Sequence, residues 1–213
     1  MNLWNYYDGD LKYPNLIKQK HEAEIAASNP KWAYEYIKNR KIKSPEIIKM
    51  LEQGIAKDSK LSYEYAKQIL KGPFKLGEPA IAKDASFSFR YTEFLRKRFE
   101  LGEPAIAKNA YYSYSYAHLL KKRFELGEPA IAKNVFYAMR YIKNILKGRF
   151  ELSEPAIAKD AYYAYSYAHL LKERFELGEP AIAKDEFYAN EYTQYILEKD
   201  FYLDGKLICK YEG

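Results

Sequence analysis

The chain has 213 residues, 48% hydrophobic and 30% charged, a balance that excludes a disordered chain and suffices to bury a core. Its 35 Lys and Arg against 29 Asp and Glu leave a formal charge of +6, which permits a nucleic-acid partner without demanding one. No run approaches the roughly 18 apolar residues that span a bilayer, residues 1–10 lack the basic-then-apolar order of a secretory signal, and Cys209 alone forms neither an internal disulfide nor a cysteine metal site. A cytoplasmic protein with no membrane partner is expected.

Taken in chain order, residues 1–51 read as an N-terminal cap holding a degenerate repeat. Trp32-Ala33-Tyr34-Glu35-Tyr36-Ile37-Lys38 echoes Leu61-Ser62-Tyr63-Glu64-Tyr65-Ala66-Lys67 further on. Residues 52–201 hold six tandem copies of one unit. Glu-Pro-Ala-Ile-Ala-Lys begins at Glu78, Glu103, Glu128, Glu154 and Glu179, in steps of 25, 25, 26 and 25 residues, and Glu52-Gln53-Gly54-Ile55-Ala56-Lys57 is a divergent first copy. Each copy opens with a proline in a first helical turn, where the missing amide has no partner to lose. Gly102 and its counterpart Ser153 stand just before it as candidate N-caps. After about two turns, Asp58, Asp84, Asn109, Asn134, Asp160 or Asp185 ends the short helix and caps a long one. The long helix of the third copy is predicted from Ala110 to about Arg123. The reading is an all-α fold, an α-solenoid of tandem 25–26-residue short-helix/long-helix repeats.

Comparison across copies shows which face is interior. Tyr65, Tyr91, Tyr116, Tyr141, Tyr167 and Tyr192 occupy one position. Four residues earlier stand Leu61, Phe87, Tyr112, Tyr137, Tyr163 and Tyr188, one turn away on the same face, predicted buried. Between them Ser62, Ser88, Ser113, Ala138, Ala164 and Ala189 stay small, which suits close approach. A unit this short cannot bury its own apolar face, so neighbouring units complete one another. Residues 202–213 form a C-terminal cap, in which Asp204-Gly205 suits either a small hairpin or a capping helix with a turn.

The run Glu-Pro-Ala-Ile-Ala-Lys-Asp-Ala-Tyr-Tyr-Ala-Tyr-Ser-Tyr-Ala at 154–168, followed by Arg174-Phe175-Glu176-Leu177-Gly178-Glu179, resembles a short tandem repeat of bacteriophage and some bacterial proteins. In layout it is also similar to leucine-rich-variant repeats. The resemblance covers roughly residues 52–203 and implies stacked helices and a phage origin, hence the cytoplasm of a bacterial host cell. It implies no reaction, cofactor or catalytic residue. The copies beginning at Glu78, Glu103 and Glu154 depart from it by one residue, lacking the glycine seen as Gly72 and Gly148.

If stacking fixes the repeated positions, the varying ones are candidates for recognition. On the long helices these are spaced i, i+4, i+7, i+11, one continuous stripe. Within it Arg90, Tyr111, His118, Lys122, Phe136, Arg140, Lys143, Tyr162 and His169 are the candidate binding residues. Aromatics beside Arg and His suit anchors of a protein interface, and the same rings also suit simple covering of the adjacent helix edge. The basic residues near each long helix's end, Lys121-Lys122-Arg123 among them, complement the helix dipole or a phosphate partner. The function expected is non-enzymatic binding of a host protein, with its inhibition as one outcome of that binding; the alternative is binding of nucleic acid or a signalling nucleotide on a basic, aromatic surface. Catalysis is not expected: His21, His118 and His169 are dispersed, the last two by about 20 Å if stacked helices lie 8–10 Å apart. Phosphate-loop, nucleophile-elbow and zincin patterns are absent from the sequence. Neither cofactor nor metal is expected, and the repeated Glu-Pro carboxylates read as partners of a helix N-terminus.

Overall fold

The structure, a computed structural model, describes residues 16–213, and residues 1–10, read as lacking a secretory signal, lie outside them. The described chain is mostly helical, with two short strands at its C-terminal end, and none of its helices is long and apolar enough to cross a membrane. Residue contacts separate one compact unit ending at Lys83 from a second beginning at Asp84.

In the first unit, α1 (Leu16–Ala27), α2 (Pro30–Asn39) and α3 (Pro45–Ile55) pack on one another. Helix α2 carries the degenerate repeat. Asn29 caps it by accepting from the amide of Trp32, and the buried Tyr36 hydroxyl donates to Glu22 at 3.2 Å. The divergent copy at Glu52 is not a free-standing short helix: Glu52–Ile55 forms the last turn of α3. Gly54 is required there by contact, because a Cβ would lie 2.7 Å from the Ala27 carbonyl oxygen. Helix α4 (Ser59–Glu64), a π turn over Tyr65–Leu70 and α5 (Glu78–Ile81) complete the unit.

In the second unit the long helices are α6 (Ala85–Leu95), α8 (Ala110–Leu120), α10 (Val135–Tyr141), α12 (Ala161–Leu171) and α14 (Glu186–Tyr192). The short ones are α7 (Glu103–Ile106), α9 (Glu128–Ala132), α11 (Glu154–Ile157) and α13 (Glu179–Ile182). Each long helix contacts the next, α6 with α8, α8 with α10, α10 with α12 and α12 with α14. One apolar core runs from α7 to α14, with Phe89 of α6 packed against it, so no copy encloses an interior alone. It is built from Ile106, Ile131, Ile157 and Ile182 of the short helices, from the tyrosine row, and from Phe124, Phe150, Phe175 and Phe201. Tyrosine and phenylalanine of each copy meet with ring centroids 4.9 Å apart for Tyr116–Phe124 and Tyr167–Phe175.

The Asp and Asn residues cap as their position dictates. Asp84, Asn109, Asn134, Asp160 and Asp185 accept from the amide three residues on, at 2.9, 3.1, 3.2, 3.1 and 3.1 Å. Gly102 and Ser153 do not cap. Both lie in right-handed helical backbone at the end of a 3-10 turn, and the Ser153 hydroxyl donates to the Phe150 carbonyl instead. The glycine is there because a Cβ on Gly127 would lie 2.5 Å from the Phe124 ring and 2.6 Å from Ser113. The small residue on each long helix therefore admits the 3-10 turn of its own copy.

The long helices end earlier than the residue pattern predicts. Lys121 leaves α8 in left-handed backbone at φ 52°, and Arg96, Lys147, Lys172 and Glu198 do the same in their copies. In the 26-residue copies the additional residue lies in a π turn, over Ile142–Leu146 and Thr193–Leu197 as over Tyr65–Leu70. Gly148 is not what absorbs it, since its Cβ position is open and its backbone ordinary.

The chain finishes in a hairpin, β1 (Phe201–Leu203) antiparallel to β2 (Lys206–Cys209), which decides between the two expectations for Asp204-Gly205. Both turn residues have positive φ, 50° and 76°, the combination a two-residue hairpin turn of primed type requires. Phe201 takes the repeat's phenylalanine position against Tyr192, and Gln194 holds the last residues by bonds to Lys210 and Glu212.

Candidate functional site

All nine candidate residues lie in the second unit, and all are exposed. The structure joins four of them. Tyr111 meets Tyr112 at 4.9 Å and Tyr137 at 5.9 Å; Tyr137 stacks on Tyr114 at 6.0 Å; Tyr114 meets His118 at 5.7 Å. The Arg140 guanidinium lies over both Tyr114 and Phe136, at 5.4 and 5.3 Å. Asn144 donates to the Tyr114 hydroxyl at 2.9 Å. Tyr111, His118, Phe136 and Arg140 thus border one patch shared by α8 and α10.

The pattern recurs between α12 and α14. Tyr162 meets Tyr163 and Tyr188, Tyr165 meets His169 and Tyr188, and Phe187 meets Tyr188. Where the first patch has Arg140, this one has Glu191, which accepts from the Tyr165 hydroxyl at 3.2 Å. Burial, with Glu191 adding to it, pushes that phenol up to about 12. The two patches share their rings and carry opposite charge.

Arg90, Lys122 and Lys143 fall outside these patches: Arg90 lies over its own helix's Phe87, and the two lysines are exposed with no ring or carboxylate contact among the described residues. The exposed rings serve in both expected ways, since Phe136 packs edgewise and Tyr111 at a tilt on Tyr137, yet they remain 48% and 47% exposed. The position of Tyr112, expected on the buried face, is half-buried in Tyr112, Tyr137, Tyr163 and Tyr188. Four residues advance a helix by 400°, which turns these rings about 40° away from the tyrosine row and toward the patch. Sequence reading missed Tyr114 and Tyr165. The signal was present, because residues 111, 114 and 118 are spaced i, i+3, i+7 along one face.

A second arrangement was also missed. Glu103, 7% exposed, receives two hydrogen bonds from Arg98, at 2.6 and 2.9 Å, and one from the Tyr116 hydroxyl at 2.7 Å. That hydroxyl accepts from the Phe99 amide at 3.3 Å. The same set recurs as Arg123, Glu128, Tyr141 and Phe124, and as Arg174, Glu179, Tyr192 and Phe175. It recurs with a single Arg149–Glu154 bond around Tyr167. Each set ties the end of one copy to the short and long helices of the next. Burial works against ionised Glu103 but is outweighed by Arg98 and Tyr116, which hold its carboxyl below the usual range. Glu103, Glu128 and Glu179 are therefore buried carboxylates paired with arginine, not simply partners of a helix N-terminus.

Among the described residues no three His, Cys, Asp or Glu converge on a possible metal position. The chain matches no protein-family model, no curated protein and no solved structure.

Proposed function

We propose that this chain is an α-solenoid that works as a non-enzymatic binding protein, phage-encoded, engaging and inhibiting a protein of its bacterial host in the cytoplasm. The observation that carries the reading is the pair of exposed ring patches, Tyr111/Phe136 beside Arg140 and Tyr162/Phe187 beside Glu191, on a framework whose interior repeats. Rigid aromatic surfaces with a charge at the edge anchor protein interfaces at small entropic cost. Opposite charges on the two patches suit a partner with complementary acidic and basic regions. The resemblance to phage repeats supplies the origin. No cofactor takes part in this reading.

The test is affinity capture from bacterial lysate with the full chain and with a folded Tyr111→Ala/Phe136→Ala/Arg140→Ala variant. A host protein retained by the former and lost by the latter is expected, its affinity falling by about 100-fold or more, as loss of interface anchors at roughly 2 kcal/mol or more each implies. No captured protein, or equal capture by both, contradicts the reading.

Arg140 over two rings, with Lys143 exposed in the π turn that follows its helix and Lys147 exposed just after that turn, favours the second reading, a nucleic acid or signalling nucleotide. A phosphate-dominated complex weakens steeply with salt, so binding unchanged between low and moderate salt excludes it.

A further inference from the structure

The recognition stripe varies between copies, but another exposed row does not. Leu101, Leu126, Leu152 and Leu177 stand at the centre of each 3-10 turn, 53%, 55%, 56% and 54% exposed. Their side chains contribute little to the core, yet the same large apolar residue returns in every copy of this unit. The turns adjoin one another's short helices, 125–127 against α7, 151–153 against α9 and 176–178 against α11, which sets the leucines in one row.

The flanks of the row differ in charge. Leu152 borders an apolar groove of about 290 Å³ between Pro129 and Pro155, edged by Lys133 and Lys159. It also borders a second groove that holds Glu151 with Arg123 and Arg149. Each arginine there is shared by two carboxylates, Arg98 by Glu103 and Glu100, Arg123 by Glu128 and Glu125, Arg174 by Glu179 and Glu176, and Arg149 by Glu154 and Glu173, with Glu151 beside it, so glutamates outnumber arginines and the net charge of that flank is acidic. The leucine row therefore runs between an acidic and a basic margin.

We propose that this leucine row is the docking face for a second copy of the chain, laid alongside the first with its acidic margin over the partner's basic one. Two observations select that occupant. A row of identical patches at one-repeat intervals is matched along its length by a surface of the same interval, which this chain itself carries. A two-fold axis parallel to the row brings Glu151-type residues over Lys133-type residues, whereas an in-plane axis across the row sets like over like. An anionic lipid surface would meet the lysine margin with opposite charge but the glutamate margin with like charge at every copy, whereas a second copy satisfies both margins. The proposal is independent of the ring patches, which lie on the long helices.

Sedimentation equilibrium of the full chain, from about 1 to about 100 µM, tests it across the affinity range of weak to moderate self-association. The average mass is expected to rise toward twice the chain's 25.1 kDa. L126E/L152E, at exposed positions, is expected to keep its helical circular dichroism and to weaken association by at least about 100-fold, the scale of losing two apolar anchors at the centre of an interface. E125K/E151K is expected to weaken it as well, and adding K133E/K159E to that variant to restore it, because the margins have then exchanged sign together. A chain monomeric throughout the range overturns the proposal, as does a dimer indifferent to L126E/L152E. Leucine-dependent capture of monomer by phosphatidylglycerol vesicles would overturn it in favour of a lipid surface.

Discussion

Raising the pH from 10 toward 12 is expected to unfold the protein before its buried tyrosines ionise in place. Tyr36, Tyr65, Tyr116, Tyr141, Tyr167 and Tyr192 all have phenols pushed upward, first by burial and further by a neighbouring glutamate, which together outweigh the opposing Arg40 at Tyr36 and the opposing backbone amide at Tyr141, Tyr167 and Tyr192; Tyr36 and Tyr167 reach about 12. An unfolded tyrosine titrates near 10. The sign follows: the unfolded chain releases these protons first, so the stabilisation is complete below about pH 10 and lost as pH climbs through the raised values. Each such group contributes a slope of about 1.4 kcal/mol per pH unit, and six acting together give roughly 8 kcal/mol per unit, comparable to the whole stability of a typical domain. Helical circular dichroism should therefore be lost in one steep transition together with the last step of phenolate absorbance, that of the buried row. Absorbance for all 23 phenolates reached with helicity retained would contradict it. At the acid end the sign reverses for Glu103, whose contribution is present above the ordinary carboxylate range and lost as pH falls through its lowered value.

The second large effect is expected from a single oxygen. Tyr141→Phe keeps the ring that packs on Phe150 but removes the hydroxyl that donates to Glu128 and accepts from the Phe124 amide. The amide is then left buried without its acceptor, and the carboxylate loses one of its donors. Such losses cost about 1–3 kcal/mol, which lowers the melting temperature of a chain this size by about 2–12 °C. Tyr111→Phe, at a 47% exposed ring, is the matched control and should stay within about 0.5 kcal/mol of the parent. Equal effects at the two positions, measured by thermal or urea unfolding, would mean that the hydroxyl junction contributes nothing particular to the joint between copies.

What the residues disclosed on their own was what local chemistry decides. Asn109 and its counterparts cap because an Asx side chain followed by a helical pattern has few other uses, and Tyr116 is buried because no exposed position repeats an aromatic so strictly. What stayed hidden depended on contacts with no fixed spacing. Arg123 and Glu128 are five apart across a turn, a separation that marks neither helix nor strand, so their pairing emerges only once Lys121 has turned the chain in left-handed backbone. Gly102 looked like a cap because glycine serves there too, whereas the Ser88 side chain that leaves no room for a Cβ on it comes from another helix and is a tertiary contact. The additional residue of the longer copies sits beside a conspicuous glycine, Gly148, while the backbone accommodates it earlier, in the π turn over Ile142–Leu146. The stripe was legible as a set of exposed positions, whereas its division into a basic and an acidic ring patch required knowing that Tyr114 and Tyr165 lie at their centres.

Residues 103–127, taken as a peptide, carry Glu103 without Arg98, Tyr116 without the Phe99 amide, and Arg123 without Glu128. Circular dichroism of that one copy in dilute buffer is the most direct test of the idea that adjoining copies supply each other's interior and ion pairs. The account predicts a largely unfolded chain with no cooperative melt, and a stably helical monomer with a sharp thermal transition would contradict it.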